Sequence, residues 1–179
     1  MTQIEAIAVP ADAVDEAKTY LRIEHSHEDA LIARLAASAI RHGEGFTGLV
    51  FLERECSERM PVSAAWQRLA ATPVRAIVSV TGIPAEGASF ELPTSDYALD
   101  IDGNGDGWLR VTAPGNARRI EVTYRAGVAS GWGLIPEALK QGALRLTGHL
   151  HAVRDASDDS GPPAAVAALW RPWRRMRLS

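Results

Sequence analysis

Apolar residues change their spacing twice along the chain, and these changes divide it into three regions. In the first region, residues 1–48, one set of apolar side chains repeats at intervals of three and four: Leu31, Ile32, Leu35, Ala39 and Phe46. This spacing is typical of an amphipathic α-helix. A shorter helix around Val14 to Leu21 precedes it, and Ser26 is predicted to cap the longer one. We therefore expect residues 1–48 to form the N-terminal helices of a helical core.

The second region, residues 49–133, alternates between apolar and polar positions. Two runs show the alternation most clearly: Val74, Ala76, Val78 and Val80, and then Ile120, Val122 and Tyr124. A period of two, interrupted by glycine and proline, is typical of antiparallel strands with one buried face. We predict that this region is an antiparallel β region inserted between the helices.

The third region is helical again and is followed by an arm. Within residues 134–155, apolar side chains again repeat at helical spacing: Leu139, Ala143, Leu146, Leu150 and Val153. Residues 156–179 form a polar linker and a C-terminal arm, in which Ala164 to Trp170 can make one or two helical turns before Pro172 ends them. The predicted fold class is α+β, with the N-terminal helices packed on the long C-terminal helix, the β region inserted, and the arm extended.

Composition narrows the possible functions. The chain has 179 residues and a net charge of -3, which suits one soluble domain and argues against a general nucleic-acid binder. A single cysteine, Cys56, excludes an intrachain disulfide. The N-terminus lacks a signal-peptide pattern, and no apolar run reaches the length of a membrane span. We expect a protein that is made and kept in a cytosol-like compartment, unless it leaves inside a larger particle.

Catalytic motifs are missing from the sequence. It contains neither a Gly-x-Ser-x-Gly elbow nor a phosphate-binding loop nor a His-Glu-x-x-His pair. Cys56 lies close to Glu55 and Glu58, which would raise the pKa of a thiol and blunt its reactivity. We therefore interpret Cys56 as a structural strand residue, and we predict that the chain is not an enzyme and uses no cofactor.

One acidic loop is a candidate for metal binding. Its oxygen-bearing residues stand at alternate positions, as in the first half of a calcium loop: Asp100, Asp102, Asn104 and Asp106. The twelfth position of such a loop should supply a glutamate, but here it is Val111. The flanking sequence also predicts strands rather than helices. A hairpin connection is the favoured interpretation, and we predict no metal site.

The last ten residues, Trp170–Ser179, hold four arginines and two tryptophans and no acidic residue. Tryptophan and arginine are the residues that most often anchor protein interfaces. The first hypothesis is that this arm is completed only by docking into another protein. A second is that it binds DNA through phosphate contacts and stacking. A third is a disordered solubilising end.

The order of elements resembles the head–tail connector, or adaptor, proteins of long-tailed phages and phage-like gene transfer agents. The resemblance runs from about Val14 to Leu178. It rests on five stretches: Ala17–Ile23, Glu28–Ile32, Thr72–Val80, Ile120–Gly127 and Ile135–Ala143, followed by the terminal Leu169–Leu178. None of these stretches is catalytic, and their order and spacing together carry the resemblance.

The resemblance implies a structural protein of the neck of a virion or phage-like particle, located in the bacterial cytoplasm during assembly. Such adaptors form a ring, a dodecamer, beneath the portal protein; they extend the DNA channel and join the filled head to a tail-side stopper or tail terminator protein. DNA would pass without sequence recognition, and no membrane is involved. The arm would bind the portal through these residues: Trp170, Arg171, Trp173, Arg174, Arg175, Met176, Arg177 and Leu178. By position, the Asp100–Gly107 loop is a candidate tail-side contact.

Overall fold

The computed structural model describes residues 1–153 and 162–175, and it has a mixed α+β fold. The strands are β1 (Thr2–Ile4), β2 (Arg54–Pro61), β3 (Gln67–Arg68), β4 (Val74–Pro84), β5 (Phe90–Glu91), β6 (Tyr97–Ile101), β7 (Gly107–Val111) and β8 (Ala117–Ala126). The helices are α1 (Ala11–Leu21), α2 (Asp29–Thr47), α3 (Glu137–Ala152) and α4 (Ala164–Trp170). Short 3₁₀ turns span Thr94–Asp96, Trp132–Leu134 and Arg171–Trp173. The predicted α+β class is confirmed.

The strands form one of two compact units, which comprises Met1–Ala6 and Glu53–Val128. It contains a five-stranded sheet in the order β1-β2-β8-β4-β5 and a three-stranded sheet in the order β3-β7-β6, with antiparallel pairing throughout. Strand β8 has two strand neighbours, and its residues Ile120, Val122 and Tyr124 have no exposed surface. The predicted alternation in β8 is therefore confirmed.

Strand β4 departs from the predicted alternation. Its register against β8 shifts between Val74 and Ala76 and again between Ile77 and Ser79. Each β-bulge adds a residue to one strand, so the side chains that follow it change face. As a result Val74 and Val80 are buried, whereas Val78 is 58% exposed. The prediction of one buried face shared by the four alternate residues of β4 is wrong for this reason.

Strand β1 and Cys56 each bear on a prediction from the sequence. Strand β1, which lies within the region predicted to be helical, pairs with β2 from Thr2 opposite Glu58 to Ile4 opposite Cys56. Cys56 is buried in β2, with its Sγ 3.7 Å from the Arg54 carbonyl oxygen. The interpretation of Cys56 as a structural strand residue is confirmed.

A buried tyrosine links β8 to β2 and to the segment before β4. The Tyr124 hydroxyl donates to Glu58 Oε2 at 3.2 Å and accepts the Ala71 N–H at 3.1 Å. The same Glu58 oxygen accepts the Ala70 N–H at 2.8 Å. Burial, which penalises a charged phenolate, raises the pKa of Tyr124 well above its usual range. Tyr124 therefore stays neutral and acts as both donor and acceptor inside the unit.

The helices form the second compact unit, Ile7–Leu52 with Ala129–Ser179. Helix α2 packs against α3, and α1 contacts both. Glu16 on α1 accepts the indole N–H of Trp132 at 2.7 Å and lies 3.7 Å from the Lys140 ammonium. Helix α2 begins at Asp29 with Glu28 at its N-cap and no side-chain cap, so the predicted Ser26 cap is wrong. The Ser26 carbonyl instead accepts the Asp29 N–H at 3.2 Å.

None of the helices in residues 1–153 and 162–175 is both long enough and apolar enough to cross a lipid bilayer.

Candidate interaction site

The arm begins with a tryptophan that is fully buried in its own chain. Trp170, the last residue of α4, has no exposed surface. Its indole Nε1 donates to the Leu139 carbonyl oxygen of α3 at 3.2 Å. Two aromatic rings flank it, with the Phe46 centroid at 6.0 Å and the Phe51 centroid at 6.3 Å in an edge-to-face arrangement. Trp170 therefore has both an apolar site and a hydrogen-bond partner, as buried tryptophans require.

Two glycines on facing helices make the space that Trp170 occupies. A Cβ at Gly142 on α3 would lie 2.6 Å from Trp170 Cε2, and one at Gly43 on α2 would lie 3.0 Å from Trp170 Cζ2 and 2.7 Å from Phe51 Cε2. Real Cβ atoms do not approach other atoms as closely as 2.6 or 2.7 Å. The absence of these two side chains is what allows an indole to insert between α2 and α3. We call this space the Trp170 socket: Gly43, Phe46, Phe51, Leu139 and Gly142.

The socket corrects one expectation about the arm. Trp170 was expected to need another protein to bury it, and to belong with the portal-binding residues. In the structure it is part of the core of the helical unit, so it has no surface to offer to a partner while it is seated there. The one or two helical turns predicted before Pro172 are present as α4, but they pack on α3 rather than extend away.

The described residues after Trp170 are at least partly exposed. Arg171 and Arg174 are exposed, and Trp173 and Arg175 are partly exposed. The Arg174 guanidinium carbon lies 5.6 Å from the centroid of the Phe46 ring, a cation–π contact. The Arg175 N–H donates to the Thr47 carbonyl oxygen at 2.8 Å, which satisfies a carbonyl at the C-terminal end of α2.

Met176, Arg177 and Leu178, the remaining predicted arm residues, lie outside the described residues.

Carboxylates of the acidic hairpin loop accept hydrogen bonds from other residues of the same chain. Asp102 Oδ1 accepts the N–H groups of Asn104 and Asp106 at 2.8 and 3.0 Å, and its Oδ2 accepts the Trp108 indole N–H at 3.1 Å. Asp106 is buried; its Oδ1 accepts the Thr72 hydroxyl at 2.9 Å. These oxygens receive donors from different directions and do not converge on one point. Within the described ranges, no three His, Cys, Asp or Glu side chains converge closely enough to hold a metal ion.

The loop therefore offers less to a partner than its composition suggests. Asp106 also pairs with Arg68, at 3.2 Å from Oδ2 to Nη1. Asp102 and Asp106 thus shape the turn between β6 and β7, as aspartates often do in tight turns. Asp100 and Asn104 are the two predicted loop residues that are exposed. The structure supports the hairpin interpretation of this loop.

One exposed aromatic contact was not predicted. Trp66, just before β3, is 43% exposed, and the Arg110 guanidinium of β7 lies 4.8 Å from the centroid of its ring. The alternation of apolar and polar residues in β7 indicates that Arg110 lies on the face opposite to the buried Leu109 and Val111. No sequence signal linked Arg110 to Trp66.

Comparison with known proteins identifies the fold. No protein-family model and no curated protein matches the chain. A solved structure of the neck of an empty gene transfer agent particle, computed with C6 symmetry, contains a chain that is 23% identical, with 100% of this chain and 97% of the other covered and a TM-score of 0.79. A chain in the virion of a native gene transfer agent is 24% identical, with coverage of 100% and 97% and a TM-score of 0.75.

A third chain comes from the neck of a native gene transfer agent particle, computed with C12 symmetry. It is 23% identical, with 99% of this chain and 97% of that chain covered and a TM-score of 0.75. The similarity therefore spans both compact units and nearly the full length of the neighbours. It establishes that this chain shares their fold.

Proposed function

We propose that this protein is a structural component of the neck of a phage-like particle, an adaptor that joins a genome-filled head to a tail. The observation that carries the proposal is the end-to-end fold similarity to neck proteins of gene transfer agents. The resemblance of the sequence to head–tail adaptors points to the same role. An adaptor acts by assembly rather than by chemistry, which is consistent with a sequence that has no catalytic motif.

The proposed assembly is a homo-oligomeric ring, a dodecamer, beneath the portal protein. Two of the similar chains belong to particle necks computed with C6 and C12 symmetry, which supports a cyclic arrangement. The ring extends the channel through which DNA passes without sequence recognition. A net charge of -3 suits the wall of such a channel, because a wall that makes few contacts with DNA phosphates does little to slow the passage of DNA. A stopper or tail terminator protein would bind the opposite side.

The proposed portal contact is the cationic end of the terminal segment. Arg171 and Arg174 are exposed, and Trp173 and Arg175 beside them are partly exposed. Met176, Arg177 and Leu178 continue the same run in sequence. In this proposal Trp170 holds the segment on its own subunit, and the residues that follow reach the portal. The role of Trp170 is therefore support rather than contact.

The alternative hypothesis, a DNA-binding module that uses the same segment, is weaker. It relied on two tryptophans to stack on bases, and Trp170 is buried. Stacking on single-stranded nucleic acid requires an accessible aromatic face. Exposed arginines alone would give only salt-sensitive contacts with phosphates.

The test is electron microscopy of the purified protein mixed with the portal protein of the same particle, with binding measured in parallel. We expect a ring stacked on the portal and sharing its axis. The double variant R171S/R174S should weaken portal binding about tenfold or more. Removing Trp170 would disturb the helical unit, so substitution of the exposed arginines is the cleaner experiment.

The matched control is R34S/R41S, which removes two exposed arginines from α2 in the same helical unit. It changes net charge equally and should leave portal binding within about twofold. A protein that stays separate from the portal at every concentration tested would contradict the adaptor proposal. Equal losses in the two double variants would retain the adaptor but reject the assigned contact.

A further inference from the structure

The inference concerns strand β6, which lies at an edge of the three-stranded sheet. Two hydrogen bonds bracket its pairing with β7: Thr112 N–H to the Asp96 carbonyl at 2.8 Å, and Asp102 N–H to the Asp106 carbonyl at 3.0 Å. In an antiparallel pair, hydrogen-bonded and non-hydrogen-bonded positions alternate. Even-numbered residues of β6 therefore direct their backbone groups toward β7, and odd-numbered ones direct theirs outward.

The outward-directed residues also carry exposed apolar side chains. Leu99 is 40% exposed and Ile101 is 42% exposed, and both follow Tyr97 at the spacing that places them on one side of the strand. Leu99 and Ile101 thus combine exposed apolar side chains with N–H and C=O groups that pair with no strand in the part of the chain that the structure describes. An edge with these properties is a template for another strand.

The other described edges are poor templates. Strands β3 and β5 have two residues each, and β1 has three. The part of β4 that extends beyond β5 contains the two bulges near Arg75 and Val78. Short strands and bulges are the usual means by which proteins prevent pairing at an edge. Strand β6 has five residues in unbroken register and neither proline nor lysine.

The charge of the residues in and around β6 indicates what kind of strand can pair with this edge. From Thr94 to Gly107 the chain has four aspartates and no lysine or arginine. Asp106 is neutralised by Arg68, whereas Asp100 is exposed within the strand itself. Pairing β6 with β6 of a second copy would bring acidic strands together, and like charges across a strand pair are destabilising.

We propose that β6 is a docking edge for an extended segment of another protein, with apolar residues at alternate positions and basic residues between them. The segment adds a fourth strand to the sheet. Its backbone bonds to Tyr97, Leu99 and Ile101; its apolar side chains cover Leu99 and Ile101; and its basic side chains lie near Asp100. This edge adjoins the hairpin loop, and it offers a partner more than the internally bonded Asp102 and Asp106 do. The inference does not depend on the neck assignment.

The test uses the full-length protein and a peptide of alternating arginine and valine, about seven residues long to match a typical strand. Backbone amide NMR shifts are followed during titration. We expect the largest shifts at Tyr97, Leu99 and Ile101. A peptide of the same sequence, N-methylated at alternate residues, cannot complete the ladder and should bind at least about tenfold more weakly. A peptide of alternating glutamate and valine should bind at least equally poorly.

The matched variants are L99P and L99T. Proline at position 99 removes an outward N–H that β7 does not use, so the sheet should tolerate it while peptide binding is lost. Threonine keeps that N–H but loses part of the apolar side chain, so binding should fall less than it does in L99P. A melting temperature within a few degrees of the parent shows that L99P is folded. If it is not, the N-methylated peptide decides alone.

Three results would overturn the proposal. The first is shifts no larger than those caused by a glycine–serine peptide. The second is binding that survives both L99P and N-methylation. The third is self-association of the unliganded protein that L99P abolishes, because it would identify the occupant as a second copy of this chain.

Discussion

Two tryptophans in this protein, each next to a contact between an arginine and an aromatic ring, have opposite settings. In the helical unit, Trp170 is fully buried, and Arg174 lies over the neighbouring Phe46 ring. In the β unit, Trp66 is 43% exposed, and the Arg110 guanidinium lies over its ring at the protein surface. Composition favours an interface at both places. The structure makes the first a core residue and leaves the second on the surface.

The difference in exposure between the two tryptophans comes from the residues around each ring. Gly43 and Gly142 leave an indole-sized space between α2 and α3, and the Leu139 carbonyl accepts the indole proton. Trp66 precedes a strand of two residues and remains 43% exposed. Composition alone therefore does not make an arginine-rich, tryptophan-rich segment an interface. Its tryptophan is available to a partner only where the chain has made no socket for it.

The largest expected effect is that of emptying the socket. W170A removes a fully buried indole and its hydrogen bond, so the free energy of unfolding should fall by about 3–5 kcal/mol. Chemical denaturation monitored by far-UV circular dichroism measures it. W66A is the matched comparison and should cost far less. Equal losses would mean that Trp170 is not a core residue.

Filling the socket should come next. G142A places a methyl group against the indole of Trp170, and overpacking of this kind costs about 1–3 kcal/mol. G45A in α2 is the control because a Cβ there meets no atom within 4 Å. It should stabilise the protein by up to about 1 kcal/mol through helix propensity. A G142A variant as stable as G45A would contradict the socket.

An effect of similar size is expected at Tyr124, a buried hydrogen-bond donor of the β unit. Y124F leaves the Ala71 N–H and Glu58 without the hydroxyl, at a cost of about 1–3 kcal/mol. Y20F changes an exposed ring in α1 and should be nearly neutral. Thermal denaturation of the three proteins at pH 7 measures the difference.

The pH dependence has a definite sign. Because burial raises the pKa of Tyr124 in the folded state, the unfolded chain loses its phenolic proton first, near the usual pKa of about 10. The stabilisation by this hydroxyl is complete below that pH and declines as pH rises above it. The advantage of the parent over Y124F should therefore shrink in alkaline solution. An advantage that grows with pH would contradict this account.

The smallest expected effect is that of W66A itself. It removes an exposed ring and one cation–π contact, which should cost about 0.5–1 kcal/mol. R110A should cost a similar amount, and the double variant should cost less than the sum of the two if the contact is real. Urea denaturation of the three variants measures the coupling.

Local periodicity predicted the elements better than their edges and contacts. The alternation in β8 predicted its buried face, because β8 is paired on both sides along a regular strand. The same pattern failed in β4, where bulges change the register and no residue type signals them. Strand β1 has three residues and depends on pairing with β2, so its own sequence carries too little information.

The candidate site shows the same limit. Gly43 lies in α2, whereas Gly142 and Trp170 are distant from it along the chain. Only the fold brings the three together. Arg171 and Arg174 are exposed next to this anchored tryptophan, which composition alone could not indicate.

The division of the terminal segment into a buried anchor and an exposed cationic end is tested most directly by hydrogen exchange of the indole N–H groups. The Trp170 signal, assigned with W170F, should persist in D₂O with a protection close to that of global unfolding, because its proton is buried and bonded to the Leu139 carbonyl. The Trp66 signal should exchange at once. A Trp170 indole that exchanges as fast as Trp66 would contradict the account.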